Sequence, residues 1–196
     1  MIYNTAIILA GGKSSRMNYQ NKSFLKLKNK TFIEKILDEL DLYDEKIIIS
    51  NKPEEYLNLD VKVVKDIIPQ CGPLSGVHSG LINAKYEYSL VVACDMPFIN
   101  KEFVKNILTF ATGYDAVIPI SNGYIQPLCG VYKKTCLPVI EKNLKKNNHK
   151  IREIFKDLNV RYLKDEEINK LSNSEYVFIN INNPKEYDYY VRGENN

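Results

Sequence analysis

The sequence predicts an α/β protein built on a mostly parallel sheet with helices on both faces. Short apolar runs of strand length alternate with helix-period segments from Thr5 to Phe110, the pattern of βα units joined by right-handed crossovers. Glycines, basic residues or single carboxylates follow where these runs end, and ligands gather at the carboxyl ends of strands in open parallel sheets. No internal repeat, low-complexity tract or Pro/Gly-rich linker interrupts the 196 residues. That length suits one domain over residues 1–196.

Thr5–Ala10 (TAIILA) reads as a buried strand, stopped by Gly11-Gly12. The polar stretch from Gly11 to Lys30 has no clear element, which marks a functional loop; Phe24–Leu27 is its segment expected to touch the core. Thr31 is an N-cap, and Glu34 three residues on completes a capping box for a helix whose stripe is Ile33, Ile36, Leu37 and Leu40. Lys46–Ser50 is the second strand, and Pro53-Glu54-Glu55 opens a short helix. Val61–Lys65 is the third, and a loop with Pro69, Gly72 and Pro73 leads to a helix from about Ser75 to Ala84. Ser89–Cys94 is the fourth, followed by a helix capped by Asn100. Ala116–Ile120, a returning strand at Pro127–Tyr132 and late strands at Val160–Leu163 and Tyr176–Ile181 follow, with helices near 134–146, 150–158 and Pro184–Tyr190. The last third is less regular, so its topology stays open.

Composition excludes several classes. Hydrophobic residues make up 44% and charged residues 26%, which excludes a disordered chain. No apolar run approaches the ~18 residues of a membrane span. A net charge of +3, from 27 basic and 24 acidic residues, is too balanced for a nucleic-acid binder. Cys71, Cys94, Cys129 and Cys136 show no C-x-x-C spacing, and no secretory leader pattern opens the chain. Reduced thiols and a cytoplasmic location are the expectation.

Four segments fall at strand ends: Gly11–Lys22, Asn51, Asp66 and Asp95. In the first, Gly11-Gly12 lets the backbone aim N–H groups at an anion, while Lys13, Arg16 and Lys22 add positive charge. Such a loop suits a triphosphate. A lone Gly-Gly is more often only a turn, and neither a P-loop nor G-x-G-x-x-G is present. Asp95, five residues before the Asn100 cap, is placed to hold Mg²⁺ together with substrate phosphates, because magnesium uses only one or two protein carboxylates. Asp66 has the same setting, with a turn role nearly as good a reading. His78 lies in a helical pattern and reads as packed or surface rather than as a base, and His149 reads as solvated.

Together, L-A-G-G-K-S-S-R-M with Lys22, G-P-L-S-G (72–76), C-D-M-P (94–97), Q-P-L-C-G-V-Y (126–132) and N-I-N-N-P (180–184) resemble the molybdenum cofactor guanylyltransferases, the MobA family. The first motif marks only the wider nucleotidyltransferase superfamily; its combination with G-P-L-S-G and N-x-N-x-P is more specific. The resemblance implies a Rossmann-like three-layer nucleotidyltransferase fold and transfer of GMP from Mg-GTP to the terminal phosphate of molybdenum-molybdopterin, releasing pyrophosphate. Carried over by position, Leu9, Ala10, Gly11 and Gly12 contact the nucleotide, Arg16 and Lys22 its phosphates, and Asn51 and Asp66 the guanosine, with Ser50 as an alternative to Asn51. Asp95 binds Mg²⁺, Gly72 and Gly76 shape the loop beside the nucleotide, with Gly76 towards the pterin, and Asn180 and Asn182 lie on the pterin side. Arg16, Lys22 and Asp95 are the catalytic set. Molybdoenzymes or other cofactor-pathway proteins are implied as partners.

Two positions depart from the family pattern. Asn18 stands where glycine is usual, and asparagine tolerates the left-handed conformation. Asn21 stands where aspartate is usual, which removes a charge from the phosphate loop. The rival readings are a molybdopterin cytidylyltransferase, which usually carries L-A-A-G, a sugar-phosphate nucleotidyltransferase, and a non-catalytic GTP-binding accessory protein.

Overall fold

The computed structural model describes residues 3–11, 21–172 and 176–193. Ten strands are present among them: β1 (Asn4–Leu9), β2 (Lys26–Leu27), β3 (Lys30–Thr31), β4 (Glu45–Ile49), β5 (Lys62–Val64), β6 (Tyr88–Ala93), β7 (Ala116–Ser121), β8 (Tyr124–Ile125), β9 (Cys129–Lys133) and β10 (Val160–Leu163). The main sheet runs β10-β7-β9-β6-β1-β4-β5, with β8 paired to β7, while β2 and β3 form a separate two-stranded ribbon. β1 pairs in parallel with both β4 and β6, β4 with β5, and β10 with β7. β9 is antiparallel to both β6 and β7. The expected mostly parallel sheet is therefore observed, and the returning strand is its antiparallel member.

Successive side chains of a strand point to opposite faces, and β1 divides in this way between two cores. Ala6 and Ile8, with Ala10 just past the strand, join one core with Ile33 and Ile36 of helix α1 (Phe32–Glu39) and Val104 and Ile107 of α3 (Lys101–Ile107). Ile7 and Leu9 join the other with Leu74, Val77 and Leu81 of α2 (Pro73–Asn83) and Ile140 and Leu144 of α4 (Leu137–Lys145). Helices thus cover both faces of the sheet.

α1 begins at the predicted capping box, where Thr31 Oγ1 accepts from Glu34 N–H and Glu34 Oε2 accepts from Thr31 N–H at 2.7 Å. α2 begins at Gly72, whose φ of 65° favours glycine. It then lies close on β1, because a Cβ at Gly76 or Gly80 would stand 2.9 Å from Leu9 Cδ2 or 2.6 Å from Ile7 Cγ2.

Several expectations are corrected. Tyr176–Ile181 is no strand: Tyr176–Phe178 form a turn, and Ile181 N–H donates to the carbonyl of Asp95 at 2.8 Å. Its aromatic and β-branched residues cross the sheet's carboxyl edge instead of pairing along it, with Val177 and Ile181 buried. The helix at 150–158 is a 3-10 helix, Ile151–Asp157. Helix α5 (Asp165–Leu171) is an addition, as are β2 and β3. The chain ends its described part with α6 (Pro184–Tyr187) and a π-helical turn, Asp188–Arg192. No helix among the described residues is long and apolar enough to cross a membrane.

Candidate active site

β1, β4, β5 and β6 are mutually parallel, so their carboxyl ends share one edge. Ala10 N–H donates to the Ile49 carbonyl at 2.9 Å, and Cys94 N–H to the Leu9 carbonyl at 3.0 Å. These bonds carry the ladder one residue past β1 and set Gly11 between the ends of β4 and β6. Gly12 and Arg16 lie outside the described residues.

Lys22 reaches this edge from a short 3-10 turn, Lys22–Phe24. Its Nζ lies 3.0 Å from Asp95 Oδ2 and 2.9 Å from Asn182 Oδ1. The Lys22 and Asp95 side chains keep only 15% and 20% of their exposure. Asn182 is held in turn, because its N–H donates to Glu186 Oε2 at 2.6 Å while Asn183 Oδ1 caps Glu186 N–H at 3.0 Å. Asn180 precedes Ile181, the residue whose N–H is tied to Asp95. The expected Lys22, Asp95 and Asn182 are thus brought together from three distant parts of the chain.

Asn51 and Asp66 form a second cluster at the ends of β4 and β5. Asn51 Nδ2 donates to Asp66 Oδ2 at 2.8 Å, and Asp66 N–H donates back to Asn51 Oδ1 at 3.2 Å. Ser50 instead accepts from Lys52 N–H at 3.2 Å and is buried, so of the two residues it is Asn51 that is hydrogen-bonded to Asp66. Asp66 Oδ1 is buried without a hydrogen-bond partner among the described residues, on the side of Gly76. Ser79 Oγ accepts from Ile67 N–H at 2.8 Å and the Ser75 hydroxyl donates to the Ile68 carbonyl, so α2 holds the loop that follows Asp66.

Sequence reasoning missed the support of the lysine turn. Asn21 Oδ1 caps Ser23 N–H at 3.0 Å, and Asn21 Nδ2 donates to Glu55 Oε2 at 2.5 Å and lies 3.0 Å from the Tyr56 hydroxyl. The carboxylate absent from position 21 is therefore present across space, on the 3-10 helix Pro53–Tyr56. The Asn21 amide, and then the Lys52 ammonium, hold the Glu55 carboxyl below its ordinary pKa. Tyr56, nearly fully buried, donates its hydroxyl to Ser23 Oγ at 3.0 Å. No sequence signal pointed to Glu55. Glu186 was findable from the N-x-x-E capping pattern.

Burial, and then the Asp95 charge, push the Cys94 thiol up to about 12, so it fills space as an unreactive thiol. His78 is buried within α2, with Nε2 3.6 Å from Glu141 Oε1. It is packed, one of the two readings the sequence allowed, and its ionic neighbour is Glu141 of α4.

No cluster of three or more His, Cys, Asp or Glu suited to a metal occurs among the described residues. Asp95 supplies one hard oxygen ligand beside a lysine. That donor set fits a magnesium ion completed by water and phosphate oxygens, not one caged by protein alone.

A mostly parallel sheet whose carboxyl edge gathers Gly11, a lysine and single carboxylates defines an α/β protein of the nucleotidyltransferase class. Residues 6–167 match the MobA-like NTP transferase domain, and the chain belongs to that family. A protein of Clostridium perfringens (strain SM101 / Type A), described as a probable molybdenum cofactor guanylyltransferase, is 47% identical over 194 residues, covering 98% of each chain. The molybdenum cofactor guanylyltransferase of Desulfosudis oleivorans is 33% identical over 94% of this chain and 92% of its own. The fold is similar to that of molybdopterin-guanine dinucleotide biosynthesis protein A from Archaeoglobus fulgidus, with a TM-score of 0.83 at 24% identity, covering 96% of this chain and 97% of that one. The motif resemblance is borne out at the level of the family.

Proposed function

We propose that the protein transfers GMP from Mg-GTP to the terminal phosphate of molybdenum-molybdopterin, giving the guanine dinucleotide form of the cofactor and pyrophosphate. The observation that carries the chemistry is the meeting of Lys22, Asp95 and Asn182 at the carboxyl edge. The names of the full-length relatives support the choice of substrates.

In this reading an oxygen of the acceptor's phosphate attacks the α-phosphorus of GTP. A new P–O bond forms, the bond from the α-phosphorus to the α–β bridging oxygen breaks, and pyrophosphate leaves with that electron pair. The nucleophile is already anionic at neutral pH, so no side-chain base is required. Asp95 would hold Mg²⁺ together with phosphate oxygens, and the ion would offset charge on the triphosphate. Lys22 carries three N–H donors; it would trade its contact with Asp95 for phosphate oxygens, with Arg16 and the loop amides of Gly11 and Gly12 completing the cradle and Leu9 and Ala10, whose ladder ends there, lying against the nucleotide. Catalysis is then positioning and charge neutralisation.

Base recognition falls to Asn51 and Asp66. Guanine presents N–H donors at N1 and N2, and Asp66 Oδ1 is a buried acceptor without a partner among the described residues. Gly72 starts the helix beside this cluster, and Gly76 leaves room against Leu9 and Asp66. Asn180 and Asn182 lie towards the acceptor.

A melting scan with GTP, CTP, ATP and UTP, each with and without Mg²⁺, tests the nucleotide half of this reading. A ligand at 100 times its dissociation constant stabilises by about 2.7 kcal/mol, or roughly 5–10 °C at this size. A shift selective for Mg-GTP is expected. A shift selective for CTP, or none with any nucleotide, contradicts it.

A further inference from the structure

Two features of the carboxyl edge lie on opposite sides of Asp95. Asn51 and Asp66 follow β4 and β5 on one flank. On the other, a groove of about 690 Å³ is lined by Phe98, Asn122, Tyr176, Ile179, Tyr189 and Tyr190. Phe98 is three residues past Asp95, and Asn122 follows β7, which the strand order places beyond β6, away from β1, β4 and β5. The groove wall is continuous with the reactive centre: Ile179 leads to Ile181, bonded to the Asp95 carbonyl, and to Asn182, bonded to Lys22.

The groove is faced with rings. The Phe98 ring centroid lies 6.3 Å from that of Tyr190 and 6.3 Å from that of Tyr176. Tyr189 meets Tyr190 edge-on at 4.7 Å and 90°. Tyr189 is 56% exposed and Tyr190 37%. Adjacent large rings left open beside a polar centre mark a recognition surface, and flat aromatic faces suit a planar heteroaromatic ring, which stacks on them. A transfer between two large substrates needs two compartments flanking one centre, and the first flank carries the guanosine residues.

We infer that this aromatic groove is the acceptor subsite, with the perpendicular rings of Tyr189 and Tyr190 offering the pterin ring one face and one edge and Asn122 available to its polar edge, while the acceptor's phosphate reaches Lys22 and Asp95. The inference rests on the guanylyltransferase reading and adds to it the residues that choose the acceptor.

The test uses the full-length protein and a fluorescent oxidised pterin bearing a phosphomethyl group at C6. The wild type should quench the probe saturably. Tyr189→Ala and Tyr190→Ala should each weaken binding about tenfold or more, within the range of base–aromatic stacking, and Tyr189→Phe should restore it. Both alanine variants should keep the wild-type GTP melting shift and, in turnover, raise KM for the acceptor while leaving KM for GTP unchanged. A retained GTP shift with no probe binding, or with binding equal in wild type and alanine variants, overturns the acceptor subsite and leaves the nucleotide reading intact. Loss of probe binding only alongside the GTP shift shows a structural role for these tyrosines and also overturns it. Absence of any GTP shift in the wild type overturns the guanylyltransferase reading, and the subsite with it.

Discussion

Lys22 and Asp95 stand 73 residues apart in the chain, and their charged atoms meet at 3.0 Å where β1 and β6 end. Each comes from an element whose placement has a separate cause. Asp95 is carried there by the parallel register of β6 on β1, and Lys22 by a turn that Asn21, Glu55 and Tyr56 hold. The pair is a charge-neutral resting arrangement of two groups that a triphosphate and its metal would separate.

Asp95→Asn preserves shape and leaves Lys22 its contact with Asn182. Turnover should fall by about 10²–10³, the range seen when one preorganised charge contact is removed from a transition state. The melting temperature should fall by less than about 4 °C, the equivalent of about 1 kcal/mol at this size. Steady-state rates and a melting curve on the same preparation check both.

Asn21→Asp installs the residue usual in the family, yet it should be harmful here. It places a carboxylate where the Asn21 amide now lies 2.5 Å from Glu55 Oε2. Stability and turnover should both drop, and Glu55→Gln in the same chain should restore them by giving the new carboxylate a donor. A double-mutant cycle on melting temperature and on KM for GTP should show a coupling of about 0.5–3 kcal/mol. Additive effects contradict the pairing.

The same contact gives a pH signature. The Glu55 carboxyl is held below its ordinary value by the Asn21 amide first and the Lys52 ammonium second. A carboxyl depressed in the folded state stabilises the fold above its unfolded pKa, about 4.3. That stabilisation is lost as pH falls through the folded value. Wild type should therefore lose more stability than Glu55→Gln between pH 6 and pH 3. Parallel melting profiles contradict this.

Gly80→Ala tests the close approach of α2 to β1. The new Cβ would stand 2.6 Å from Ile7 Cγ2 and 2.8 Å from Ile7 Cδ1, on a side chain with no exposure. Overpacking of this kind costs about 1–3 kcal/mol, against roughly 1 kcal/mol gained in helix propensity. A lower melting temperature is expected, and an unchanged or raised one shows that β1 yields freely.

The strands that place the site were legible because each is a local apolar run ending in a turn, and the Thr31–Glu34 capping box because it spans a single helical turn. Tyr176–Ile181 misled because β-branched and aromatic residues serve equally in a strand and in a segment that plugs an edge; the turn bond from Ile179 N–H to the Tyr176 carbonyl and the long-range bond from Ile181 to Asp95 distinguish them. α5 was hidden because its only buried residues are Ile168 and Leu171, too few for a visible stripe. Lys22, Asp66 and Asp95 stood out by their place after strands. Glu55 did not, because its partner Asn21 is 34 residues away and nothing local marks the contact. The Phe98–Tyr190 groove wall escaped for the same reason, joining the loop after β6 to the C-terminal turn.

The most direct measurement is pyrophosphate release from Mg-GTP with and without molybdenum-molybdopterin. Acceptor-dependent release in proportion to guanine dinucleotide formed, with at least a hundredfold loss in Asp95→Asn, is the predicted result. GTP binding without acceptor-dependent release would contradict the enzyme reading and leave a GTP-binding accessory protein in its place.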